Sequence, residues 1–343
     1  MFSINPLDPT RVEAIQQKID GKTKPPGSLG SLEPLAKQLV QIVGDPIELH
    51  APSLLLFAGD HGVAEQGVSI APSEVTQLMV QNFLAGGAAI NCFSNQLGWE
   101  LSVIDAGIKT PLAGATEHPN FREQRVGPGT ANLAQSAAMS KDQAVQSLQL
   151  GATVARETLA AGANVIACGE MGIANSTSAA AIATLLLGCS AREMAGRGTG
   201  IDDAQLEKKI TAIESGCKRA GSQEPLTILS EVGGFEIGQM AGAMLATAEA
   251  SAVIVVDGFI ATSAALLAAR IAPNCRDYMV FAHRSHEQGH RLMLEALEAE
   301  ALLDLQLRLG EGTGAALALP LLQSAAAFYN NMASLDAAQI DLP

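Results

Sequence analysis

Glu311 is the first residue whose setting asks for chemistry. It stands between Gly310 and Gly312 in LRLGEGTGAALALPLL, residues 307–322, as the one acid of an otherwise largely apolar stretch. An unpaired ionised carboxylate is costly to bury, so such a group stays wet, finds a partner, or shifts its pKa and takes part in a reaction. HEQGH, residues 286–290, matches the H-E-x-x-H pattern in which two histidines one helical turn apart hold zinc and the glutamate is the base. Its context opposes that use: Gly289 falls inside the required helix, the stretch directly follows an apolar run, and no third ligand stands out. A zinc hydrolase built on His286, Glu287 and His290 is therefore the lesser alternative.

Three glycine-rich segments follow. GEGTGA (310–315) lacks the G-x-G-x-x-G spacing of a dinucleotide fingerprint. GRGTGIDD (196–203) lacks the lysine of a P-loop, and reads equally as a backbone nest for a phosphate or as a surface turn. GEMGIANSTSAAA (169–181) places an acid, glycines, Asn175 and hydroxyls at the start of an apolar helix. It is either a capped buried helix or an anion site at a helix amino terminus.

The elements that must position these residues repeat along the chain. Short apolar runs end in glycine or a polar residue at SLLLFAGDHG (53–62), LSVIDAG (101–107), NVIACGEMG (164–172), AVIVVDGF (252–259) and YMVFAHRS (278–285). Alanine-rich stretches of helical character lie between them. The alternation predicts a Rossmann-like, mostly parallel α/β sheet with helices on both faces. Ligands of such sheets bind outside the carboxyl ends of the strands, so Asp60, Asp105, Glu170, Asp257 and His283 are expected to rim one crevice. Helical spacing at 9–20 and 32–43, and again from 321 onward, predicts a small helical domain of residues 1–48 with 321–343, beside a large domain of residues 49–320.

Composition narrows the function. The 343 residues carry a formal charge of −14, which excludes a nucleic-acid or anionic-membrane partner that would require a basic face. An anionic substrate must then be held by local donors. Charged residues make up 16%, against roughly 25% in an average soluble protein, which predicts much buried surface and an oligomer. Five cysteines without C-x-x-C spacing read as reduced thiols of the cytoplasm. The amino terminus shows no signal-peptide pattern. The uncharged runs 171–191 and 312–329 contain enough small and polar residues to read as buried helices, not membrane spans.

Taken together, KPPGSLG (24–30), FAGDHGV (57–63), APSEVTQLMV (71–80), GEMGIANSTSAAA, GRGTGIDD, VDGFIATSAAL (256–266), AHRSHEQGH (282–290) and LRLGEGTGAALALPLL resemble, in order and over nearly the whole chain, the nicotinate-nucleotide:dimethylbenzimidazole phosphoribosyltransferases. The resemblance implies transfer of phosphoribose from nicotinate mononucleotide to a benzimidazole-type base in cobalamin synthesis, by a homodimer without cofactor or metal. It implies Glu311 as the catalytic base. It also implies substrate contacts at Glu170, Gly172, Asn175, Gly198 and Lys209, the last with Lys208 as its rival for the 5′-phosphate, and at Pro26, Ser73, Leu78 and Leu309. Ala71 and Leu78 replace a tyrosine and a glutamine common in the family, which leaves adenine, phenols and other benzimidazoles open as acceptors. Ala174 stands where the family usually has glycine.

Overall fold

The computed structural model describes residues 2–198 and 200–339. Its centre is one six-stranded sheet in the order β3-β2-β1-β4-β5-β6, with every neighbouring pair parallel. The strands are β1 Ser53–Gly59, β2 Glu100–Gly107, β3 Phe121–Glu123, β4 Val165–Met171, β5 Val253–Val256 and β6 Met279–Phe281. The five apolar runs each supply a strand, so the predicted parallel α/β architecture is the observed one. No apolar run predicts β3. Its three residues, Phe-Arg-Glu, are too few for one, and it forms because β2 offers it an edge from Val103 to Asp105.

β1 is buried along its whole length and β4 nearly so. That is why their sequences read as continuous apolar runs and not as alternation. Small residues let the covering helices approach closely. Helix Lys141–Ala160 crosses helix Phe235–Glu249 where a Cβ on Gly151 would lie 1.9 Å from the Gln239 carbonyl and one on Gly242 would lie 1.9 Å from that of Leu148. Backbone touches backbone there, and the abundance of glycine and alanine follows from it.

The chain leaves β1 for β2 on one side, while β4 flanks β1 on the other. The strand order reverses at this point, and a crevice opens beyond the carboxyl ends of β1 and β4. Helix Thr313–Asn331 starts beside the crevice and runs out to pack on helix Leu32–Val43. At its far end Asn330 exchanges two hydrogen bonds with the Ile47 backbone, at 3.0 and 2.8 Å, and Lys22 Nζ donates to the Met332 carbonyl at 2.8 Å. The expected domain boundary at 320/321 falls inside this helix, and residues 340–343 of the expected helical segment lie outside the described residues. Among the described residues no helix is long and apolar enough to cross a membrane.

Candidate active site

The loops after β4, β5 and β6 enclose a cleft of about 860 Å³ including its mouth, lined by Glu170, Gly172, Asn175, Gly198, Asp257, His283 and Leu309 among others. Three of the five expected rim residues are therefore there. Asp60 and Asp105 are not. Asp60 accepts from the Lys109 N–H at 2.7 Å, and Asp105 pairs with Arg125 at 2.6 Å while accepting from the Ile108 N–H at 2.9 Å. Both carboxylates lie at strand ends, but they hold turns: Asp60 through Oδ2, and Asp105 through both oxygens.

Glu311 sits behind the cleft wall formed by Gly310. Gly310, Glu311 and Gly312 have φ of 82°, 62° and 82°, all in the left-handed region. For glutamate this costs on the order of 1–2 kcal/mol, so the surroundings must impose it. They do so through β4, because a Cβ on Gly169 would stand 2.5 Å from the Glu311 carbonyl oxygen. The loop thus lies directly on the strand backbone. Glu311 is 5% exposed, and its Oε2 accepts from the Ile90 N–H at 3.3 Å. Burial pushes its pKa up, the Ile90 N–H pulls it back, and nearby Asp257 pushes it up again.

Glu170 is in contact with the same loop. Its Oε2 accepts from Asn175 Nδ2 at 2.5 Å, and its Oε1 would lie 2.1 Å from a Cβ on Gly310. Burial pushes this carboxyl up to about 8, opposed by the Asn175 amide and reinforced by Asp257, Glu236 and Glu311. Glu170 is therefore largely protonated at neutral pH. Asp257, also raised by burial, accepts from the Ala315 N–H at 2.8 Å and lies 3.6 Å from His283 Nε2. All three carboxyls are thus raised by burial, and their mutual repulsion adds to the effect.

Behind Ser176 and Gly198 of the cleft wall lies a buried lysine. Lys209 is 1% exposed, and its Nζ donates to Ser176 Oγ and to the Gly196 carbonyl, both at 2.9 Å. Burial lowers its pKa to about 8, against the pull of Glu287. A Cβ on Gly198, whose φ is 54°, would be 3.9 Å from that ammonium. Lys208 is exposed in a separate surface hollow beside Gln66. One residue of helical rotation, about 100°, sends the two lysines to different faces.

A family model described as phosphoribosyltransferase matches residues 4–340. The nicotinate-nucleotide–dimethylbenzimidazole phosphoribosyltransferase of Shewanella oneidensis is 52% identical, with 99% of this chain and 97% of that protein covered. That of Vibrio vulnificus is 53% identical over 95% of this chain and 97% of that protein. The crystal structure of CobT from Thermus thermophilus superposes with a TM-score of 0.94 at 42% identity, covering 98% of this chain and 100% of that one. This chain belongs to that phosphoribosyltransferase family.

HEQGH does not form one helical face: the helix begins only at His290, and His286 is exposed. His290 is buried, its Nδ1 accepts from the Ser285 N–H at 2.8 Å, and its Nε2 lies 2.9 Å from Thr262 Oγ1. Both ring nitrogens are thus engaged, and burial lowers its pKa to about 3. No group of metal-binding side chains occurs among the described residues. Pro26 and Leu78 are exposed and Ser73 is half-buried, and none of the three lines the cleft of this chain. Ala174 has φ 72°, which explains the glycine that its position favours. Arg197 and Arg308 line the cleft mouth, Arg308 donating to the Gly198 carbonyl at 3.1 Å. Both lie in the glycine-rich motifs, but spacing alone carries no signal for an arginine at a mouth.

Proposed function

We propose that this chain transfers phosphoribose from nicotinate mononucleotide to a benzimidazole-type base, giving nicotinate and α-ribazole 5′-phosphate, with Glu311 as the proton acceptor. Nicotinate leaves from a positively charged ring nitrogen and departs as a neutral pyridine, so the leaving group needs no acid. The acceptor attacks the anomeric carbon with one ring nitrogen, the glycosidic bond breaks with inversion, and the proton on the other nitrogen passes to Glu311. One base suffices, unlike the carboxyl pair of an inverting glycosidase. The observation that carries this reading is the buried Glu311 carboxyl, raised toward working pH by burial and held by one backbone N–H. Glu170, neutral at pH 7 beside it, avoids a second full charge and supplies an O–H to the ribose or acceptor. Lys209, Ser176 and the Gly172 and Gly198 backbone receive the 5′-phosphate, and Asn175 keeps Glu170 in place.

Pro26, Ser73, Leu78 and Leu309 complete the acceptor side in this reading, within a cytoplasmic homodimer. The exposed Ile70, Leu78 and Leu305 supply apolar surface that supports such an assembly. The described residues of 1–48 and 321–343 act as the helical domain, joined by the Asn330 and Lys22 contacts.

The test is nicotinate release from nicotinate mononucleotide with dimethylbenzimidazole, adenine and a phenol, wild type beside Glu311→Gln. The Gln variant should fold normally and lose roughly 100- to 10,000-fold in kcat. An unimpaired Gln variant removes Glu311 as base, and no release with any acceptor removes the activity.

A further inference from the structure

The base is held by a part of the chain in which no side chain has a chemical role. Helix Ala89–Leu97 begins with Ala88 at its N-cap position, in extended conformation with φ −91° and ψ 166°. That backbone suits a serine or aspartate cap, but alanine has no acceptor to offer the first-turn N–H groups. The acceptor comes from 221 residues away, as Oε2 of Glu311 on the Ile90 N–H. Asn91 fixes the turn from both sides: its Oδ1 accepts from the Ala88 N–H at 3.1 Å and its Nδ2 donates to the Phe83 carbonyl at 2.9 Å. Phe83 belongs to helix Glu74–Leu84, which also carries Leu78.

We propose that the amino-terminal turn of helix Ala89–Leu97 is the positioning device for Glu311, with the Ile90 backbone N–H holding Oε2 so that Oε1 remains for the acceptor's proton. The inference rests on the reading of Glu311 as base. Geometry supports it in three ways. The left-handed backbone of Glu311 fixes where its side chain departs, the uncapped turn supplies a donor that needs an acceptor, and Asn91 ties that donor to the helix bearing Leu78. A displacement of that helix is therefore transmitted to the base.

Electrostatics agrees in sign. The groups facing Glu311 are Asp257 after β5 and Glu170 on β4, with His283 after β6 beside Asp257. Burial and Asp257 raise the carboxyl, and the Ile90 N–H is what lowers it. The Ile90 N–H favours the ionised carboxylate and so opposes the burial that disfavours it.

Two measurements decide the matter. In protein labelled with ¹⁵N-isoleucine, the Ile90 amide proton should shift with pH as Glu311 ionises, and the response should vanish in Glu311→Gln. Ile90→Pro removes the donor at a first-turn position whose N–H has no intrahelical partner, while Ile90→Val changes the side chain and keeps the donor. The acid limb of kcat/KM should stay in place for the Val variant and move up by about one pH unit for the Pro variant. If the Pro variant does not fold, the amide titration decides alone. An Ile90 amide indifferent to pH, or Pro and Val variants with coincident profiles, overturns the inference. An active Glu311→Gln removes the base itself, whereas an inactive one with a silent Ile90 amide removes only the positioning role.

Discussion

Gly169→Ala is the sharpest perturbation of the site that touches no chemical group. Gly169 lies inside β4 with no positive φ, so alanine meets no backbone strain there. Its new Cβ would stand 2.5 Å from the Glu311 carbonyl oxygen, 2.7 Å from the Glu311 carbonyl carbon and 2.9 Å from the Gly312 nitrogen, where ordinary contact begins at 3.4 Å. The shortest of these requires a displacement of about 0.9 Å. None of the three atoms belongs to a side chain that can rotate away. β4 is pinned between β1 and β5, so the loop 310–312 must move and carry the Glu311 carboxyl with it. Overpacking of this kind costs about 1–3 kcal/mol of stability. A displacement near 1 Å at a reacting group costs roughly 100-fold in rate. The assay is nicotinate release at saturating donor and acceptor, with thermal unfolding measured on the same preparation. The expected result is a large fall in kcat with a modest fall in Tm. A Gly169→Ala enzyme with wild-type kcat, whatever its stability, would refute the argument that the strand backbone places Glu311, the proposed base.

Other outcomes follow from the same geometry. Lys209→Ala should raise KM for nicotinate mononucleotide roughly tenfold or more if, as proposed, Lys209 makes a charge-assisted contact to the phosphate, whereas Lys208→Ala should leave it unchanged; initial rates across donor concentration separate the two. Glu170→Gln should alter the pH dependence of stability. The folded carboxyl titrates near 8 against an ordinary value of 4.5, so between those values the folded protein keeps a proton that the unfolded chain has released. Stability from this group is complete below 4.5 and declines as pH rises through about 8, by on the order of 1.4 kcal/mol per pH unit at most. The Gln variant lacks that decline, so its Tm relative to wild type should rise with pH over this window, as unfolding in a pH series will show.

The architecture and the motifs are legible in the order of the amino acids alone. The strands of the sheet core had to appear as largely apolar runs, because parallel strands are covered on both faces. An isolated acid between two glycines was equally legible, because burying a carboxyl is costly enough to leave few explanations. Whatever depends on direction needed the folded chain. Asp60 and Asp105 share their strand-end position with Glu170 and Asp257, yet only the fold shows that the first pair is spent on turns. Lys208 and Lys209 are neighbours in sequence and face different surroundings, because a helix turns by about 100° per residue. β3 exists only because β2 presents an open edge. The partner of Glu311 was invisible for a more basic reason. It is a backbone N–H, present at Ile90 as at any residue but proline, and only folding brings that donor to the carboxylate.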